Sequence, residues 1–417
     1  MHNHPPQYPR SITSLRSSYY IDTSETASRD ITSFREWAAN FGVQTIDLEL
    51  IPNNENDVAV ITNQELPAES AIACTPNSLI LTSSVVASEL STNSAASTLD
   101  TADQPAFHLF AKILYEYELG QESPWYAWLN SMPKYYSNGA SMTNFCFGCL
   151  PPYAAGLALS EKNRLKEFAA ALSSLSFISE ETKCNPEVLR WAYNVVYTRY
   201  FENEGELCLV PMMDYFNHGG VNANAYVMFD EEGNCYAYST TDVGAGQPLE
   251  ICYGDPTNPS NLLARYGFLD ESSSATFCKY IISNPTYEHY NLGYPSQTVF
   301  YNDGSISQQV WDLVLYEELA KVSPAEQAGF YQACITGDAV TKQGHHDQYW
   351  EQSWGALQKH VKFLVDELDD LEIGLSTKMH LGQDADLHPR LPLLMRHNEF
   401  VKDTIENVEK NLDNMFS

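Results

Sequence analysis

The chain has 417 residues, 44% hydrophobic and 12% aromatic, a composition that excludes global disorder and allows cores for about two or three domains. Its formal charge is −31 at pH 7, from 54 acidic and 23 basic residues. That balance disfavours direct binding to a nucleic-acid backbone, and is explained either by solubility or by steering of basic protein and peptide partners. No apolar run is long enough to cross a membrane, so no membrane span is expected.

Residues 1–30 read as a flexible N-terminus without the apolar segment of a secretory signal. A Ser- and Arg-rich transit segment between Ser11 and Ser28 is the alternative, weakened by Asp22 and Glu25. The protein is therefore expected inside the cell, with cytoplasm, nucleus and plastid all open. Ser33 to Gly42 reads as a short amphipathic helix, with Ser33 as N-cap, Glu36 three places on and Gly42 as the stop. From Ile46 to Leu81 short β-rich runs are separated by Pro52, Asn53-Asn54, Pro67 and Pro76-Asn77, which is strand punctuation. The polar stretch Ser88 to Asp103 reads as a loop.

Helical periodicity runs from about Pro105 to Tyr200, as in Phe107/Phe110/Leu114, and is clearest from Pro186, an early-helix proline, to Arg199. Strand-like segments return at 207–212, 225–229, 235–239 and 249–252, with Gly233-Asn234 as a hairpin turn. Beyond residue 277 the pattern is mainly helical, clearest at 308–321, 350–371 and 393–414. The acidic run Asp366 to Glu372 keeps its leucines in helical phase and reads as a solvated helix face.

The nine cysteines are scattered and odd in number, unlike a disulfide framework. Cys146-Phe-Gly-Cys149 has the spacing of half a zinc site or a redox pair, but no second pair follows, so buried structural thiols are favoured over metal or redox chemistry. Cys208, Cys235 and Cys252 alternate with apolar residues and read as small buried side chains. No metal site and no Gly-rich nucleotide loop is expected.

Between Pro211 and Phe268, polar and aromatic groups interrupt apolar runs at three places, which suggests a built site because buried polar groups are costly unless paired or used. Asn217-His218 follows a strand-like run and precedes Gly219-Gly220. Such a bend can bring adjacent side chains and backbone groups to a small polar ligand, although an Asn-His pair alone is most simply a turn. Tyr253 ends an apolar strand beside Gly254, and Tyr266 ends a short helix stopped by Gly267. Each tyrosine packs through its ring and can present its hydroxyl to a reacting group.

These residues, with Arg190-Trp191, Thr198-Arg199, Asp214 to His218, Gly246 to Gly254 and Asn261 to Phe268, resemble the SET-domain protein methyltransferases, in the branch that includes the Rubisco large-subunit methyltransferases. The resemblance implies a mixed α+β chain. A β-rich SET fold with a pseudoknot would occupy 31–275, with a helical insertion at about 104–205. An all-helical substrate-binding domain would follow at 276–417. It implies S-adenosylmethionine as cofactor, held by Asn217 and His218, with Arg199 facing its carboxylate and Phe268 stacked on its adenine. Tyr253 would be the main catalytic tyrosine and Tyr266 would line the methyl-transfer channel. Phe201 and Tyr226 would lie on the acceptor side, where an aromatic Phe201 suits lysine better than histidine.

The implied activity is protein-lysine N-methylation, with protein-histidine N-methylation as the alternative. The family's early Gly-x-Gly segment corresponds to Asn53–Ala59, which has no glycine. Glu55 and Asp57 there would crowd the cofactor, favour its sulfonium, or face water. That departure keeps open a catalytically weak module that only binds a basic partner.

Overall fold

The computed structural model of the chain describes residues 20–53, 57–277, 282, 284–380 and 387–415. The first half of the Ser- and Arg-rich stretch, residues 11–19, and Glu55 lie outside the described residues. The chain divides into two compact units, one of residues 1–141 and 160–253, the other of residues 142–159 and 254–417.

The first unit is built from small sheets around a helical insertion. A four-stranded sheet runs in the order Gln44–Thr45, Ala71–Thr75, Cys235–Ser239, Ala225–Phe229. Its last two strands form the hairpin expected at Gly233-Asn234, with Cys235 opposite Phe229. Alternate residues Cys235, Ala237 and Ser239 are buried, so one face packs inward. Leu48–Pro52 pairs with Val58–Thr62, and Glu206–Leu209 lies between Leu81–Thr82 and Tyr200–Asn203. The insertion packs Gln104–Leu119 against Pro186–Tyr197. Phe107, Phe110, Phe168, Trp191 and Tyr193 fill its fully buried core.

Several local expectations are corrected. The first helix is Ile31–Asn40, and its cap is Asp30, whose carboxylate accepts the Ser33 N–H at 3.0 Å. Ser33 therefore sits inside the first turn, and Phe34 and Ala38 lie on the buried face. The polar stretch 88–103 is not simply a loop. It contains the helix Asn93–Ala96, held down because Ala95 and Ala96 are buried and the Thr92 hydroxyl meets His108 Nδ1 at 2.7 Å. Cys208 and Cys235 are buried, but Cys252 is exposed, since it follows the end of its two-residue strand.

Residues 20–30 are also seated rather than loose. Ile21 and Thr23 are buried, and Arg29 Nε donates to the Ser131 carbonyl at 2.7 Å.

Lys134 is buried in the same unit, with its Nζ 3.3 Å from the Leu129 carbonyl and 5.0 Å from the Trp191 ring centroid. Burial, reinforced by the Arg29 charge, lowers its pKa to about 7. The folded chain then releases this proton at a lower pH than the unfolded chain does. Between about pH 7 and the ordinary lysine pKa the unfolded state binds more protons, so stability rises with pH across that window. Lys134→Met should abolish this slope. Urea denaturation at pH 6.5 and 9.5 should show wild type gaining about 2–3 kcal/mol on the variant at the higher pH. Parallel pH profiles for the two proteins would contradict it.

Among its described residues the second unit is mainly helical, with one β-ribbon. Its longest helices are Gln308–Val322, Trp350–His380 and Leu391–Asn414. Leu364, Leu368, Val401, Ile405 and Val408 lie in one buried cluster. Asp369 and Glu372 of the acidic run pair with Lys402 at 2.6 and 2.7 Å, while Leu368 faces inward. The expectation of an all-helical region is refined by an antiparallel pair, Ala275–Phe277 with Val299–Tyr301, where β-branched and aromatic residues favour extended backbone. Cys146 and Cys149 are buried, outside any disulfide, in an apolar cluster with Leu150, Leu263 and Leu394.

Among the described residues no helix is long and apolar enough to cross a membrane. Among them, too, no group of three or more His, Cys, Asp or Glu could hold a metal ion.

Candidate active site

The segment after Leu209 turns sharply. Met212 takes φ +78°, and one 3-10 turn, Met213–Tyr215, leads into the short strand Asn217–His218. This strand pairs in parallel with Glu250–Ile251, Asn217 opposite Glu250 and His218 opposite Ile251. Parallel pairing between segments so close in sequence requires the intervening hairpin to loop out and return. Gly219 makes that return possible, because a Cβ there would lie 2.8 Å from Glu250 Cβ and 2.9 Å from Ala223 Cα.

Two hydrogen bonds tie Tyr253 to this strand. Its backbone N–H donates to His218 Nδ1 at 3.0 Å, and its hydroxyl donates to the Phe216 carbonyl at 2.7 Å. With Nδ1 accepting, a neutral His218 ring carries its proton on Nε2. The Tyr253 oxygen, having given its proton to Phe216, keeps lone pairs for another donor.

Asn217 points the other way. Its Nδ2 donates to the Asp57 carboxylate oxygens at 3.2 and 3.1 Å and to the Val58 carbonyl at 3.2 Å. The two residues of the pair are thus used separately, one toward Tyr253 and one toward the segment that lacks glycine.

Beneath them lies a buried charged network. Arg199 donates to the Asp214 backbone carbonyl and stands 3.5 Å from its carboxylate. Trp128 Nε1 donates to that carboxylate at 3.1 Å. Arg29 and Arg199 each lie 5.5 Å from the Tyr215 ring centroid, and the Tyr215 hydroxyl donates to Ser131 Oγ at 2.5 Å. Burial alone would pull the Arg199 pKa down, but the Asp214 charge and the nearby Tyr136, Tyr215 and Tyr253 outweigh it, and the net direction is upward. Burial lifts the Asp214 carboxyl above the ordinary range against the pull of Arg199 and the Trp128 N–H. The Arg199 side chain keeps 13% exposure, and its Nε has no hydrogen-bond partner among the described residues.

The other expected site residues lie on other elements. Phe201 is half-buried on the strand Tyr200–Asn203, opposite Cys208. Tyr226 stacks on Tyr238 with centroids 5.6 Å apart, and its hydroxyl donates to Glu69 at 3.2 Å. Tyr266 and Phe268 belong to the second unit, with ring centroids 6.1 Å apart. Tyr266 ends the helix Pro259–Tyr266, which stops as expected at Gly267, φ +83°. A hollow of about 400 Å³ lies beside the first helix, lined by Arg35, Val43, Leu48 and Met212 among others, and holds none of these residues.

No protein-family profile matches the chain, and no curated protein sequence matches it. Solved structures do match. Rubisco LSMT bound to AdoMet superposes with a TM-score of 0.63 at 15% identity, covering 93% of this chain and 92% of that one. This chain has the Rubisco LSMT SET fold. The SET domain of LSMT bound to lysine and AdoHcy gives 0.61 at 14% identity over 92% and 91% of the two chains. Rubisco LSMT bound to sinefungin and monomethyllysine gives 0.61 at 14% over 93% and 92%.

The LSMT fold is therefore carried by a sequence that retains little of its relatives' identity. Sequence reasoning missed Arg29, Tyr136 and Trp128 as supports of the Arg199 site. Arg29 and Tyr136 sit in stretches with no motif, and Trp128 lies in Ser123 to Leu129, which the resemblance covers without giving it a site role. Asp214 and Tyr215 lay inside the recognised stretch but carried no separate signal of burial.

Proposed function

We propose that this chain is an S-adenosylmethionine-dependent protein methyltransferase that acts on a lysine side chain. The observation that carries this reading is the tie between Tyr253 and the Asn217–His218 strand, on a fold whose solved examples hold AdoMet, AdoHcy, lysine and methyllysine.

The chain's residues fit such a cofactor. Arg199 has a buried, unpartnered Nε beside a partly exposed side chain, suited to a carboxylate. Asn217 and His218 offer backbone groups at a strand end. The resemblance alone assigns Phe268 to the adenine and Tyr266 to the methyl-transfer channel. When bound, S-adenosylmethionine supplies a methyl group that is already electrophilic at its sulfonium.

The protein's task is to prepare the acceptor. Free lysine, with a pKa of about 10.4, is only about 0.04% neutral at pH 7. Desolvation among aromatic rings lowers that value and frees the lone pair. The Tyr253 oxygen accepts an N–H from the amine, fixing it while the lone pair points away toward the methyl group. Half-buried Phe201 supports lysine over histidine as acceptor, because an apolar ring offers an imidazole nitrogen no hydrogen-bond partner. The charge of −31 supports a basic protein segment as substrate.

Incubation with methyl-labelled cofactor and basic peptides containing a single lysine or a single histidine tests the proposal. Label on lysine is expected. Label confined to histidine overturns the acceptor, and label on neither, with native extract as a further substrate source, overturns the activity.

A further inference from the structure

We infer that Asp57 reads the charge of the cofactor, favouring the cationic methyl donor over its neutral product. The inference rests on the methyltransferase reading above. It starts from the place where this chain departs from its relatives' pattern: Asn53–Ala59 carries no glycine, and an acidic side chain stands where the resemblance implies close backbone approach.

Asp57 is not turned away from the site. Both of its carboxylate oxygens are within 3.2 Å of Asn217 Nδ2, the residue that shares its strand with His218. That amide also donates to the Val58 carbonyl, so its N–H groups are committed to the 57–58 backbone and carboxylate. The result is a half-buried negative group fastened to the strand end. Asn217's ladder partner Glu250 adds to the same field. Burial raises the Glu250 pKa, the His218 ring opposes that rise, and the negative charge of Asp57 reinforces it, which places all three groups within electrostatic reach.

A ligand bound at this edge meets two carboxyl groups from two separate segments. S-adenosylmethionine carries a sulfonium, an ammonium and a carboxylate, net +1. Methyl transfer converts the sulfonium to a thioether, and S-adenosylhomocysteine has net charge 0. One unit of charge beside a half-exposed carboxylate changes affinity by about three- to tenfold after solvent and salt screening. A site biased in this way holds the donor and releases the product, which lessens product inhibition.

Asp57→Asn keeps an oxygen to accept from Asn217 and removes only the charge. Calorimetry of the full chain with each ligand should show the ratio of S-adenosylhomocysteine to S-adenosylmethionine dissociation constants falling by about three- to tenfold in the variant. A ratio unchanged while both ligands still bind overturns the role of Asp57 and leaves the methyltransferase reading standing. Failure of both ligands to bind the unaltered chain at millimolar concentration overturns both. A measurement that needs no variant runs alongside: raising salt should weaken S-adenosylmethionine binding more than S-adenosylhomocysteine binding, and equal salt dependence counts against the inference.

Discussion

Tyr253→Phe should lower methyl transfer by about 10²–10³-fold, the loss typical when one aligned polar group is removed from a reacting centre. The substitution deletes a single oxygen. That oxygen donates to the Phe216 carbonyl at 2.7 Å and retains its acceptor face. The ring stays packed near His218, with centroids 5.3 Å apart, and the backbone N–H that meets His218 Nδ1 is untouched. Cofactor affinity should therefore change by less than about threefold, since the expected cofactor contacts lie on Arg199, Asn217 and His218. Initial rates at saturating peptide, set beside calorimetric titration of the cofactor, separate the two effects. Turnover equal to wild type would remove Tyr253 from the chemistry. A parallel collapse of cofactor affinity would make it a binding residue instead.

Asp214→Ala should destabilise the first unit by about 3–5 kcal/mol, because it leaves a buried guanidinium without its counter-charge. Asp214 and Arg199 stand 3.5 Å apart, and the Asp214 side chain is fully buried. The same change strips the Trp128 indole N–H of its acceptor at 3.1 Å. Arg29, on the same Tyr215 ring as Arg199, adds a second positive charge that Asp214 helps to balance. Asp214→Asn is the informative companion. It preserves an oxygen for Trp128 but not the charge, so it should lose less than the alanine variant. Equilibrium urea denaturation measures both. A loss below about 1 kcal/mol for the alanine variant would show that the network contributes little to stability.

The residues that resembled a methyltransferase were those whose polar or glycine identity interrupts an apolar run. Asn217-His218, Tyr253 and Gly267 stand out because a buried strand or helix end has little reason to carry them. Their supports did not stand out. Arg29 lies in a stretch that looks featureless, yet its guanidinium crosses to Ser131, 102 positions away. Asp30 rather than Ser33 caps the first helix, although both residue types satisfy the local capping rule. The helix at 93–96 was hidden as well: its polar composition argues for a loop, while two buried alanines and a threonine–histidine contact hold it.

By itself, the sequence determined the alternation of strand-rich and helical regions, the hairpin at Gly233-Asn234, the glycine stop at Gly267 and the residue types of the central motif. These follow from periodicity and backbone freedom, which act over a few residues. Tertiary structure alone decided that Asn217 faces Asp57 while His218 faces Tyr253, and that Arg199 is gripped by Asp214 under Tyr215. Those pairings join segments up to 160 positions apart. They depend on which polar groups meet once burial removes water as a competing partner, a condition that no local pattern encodes.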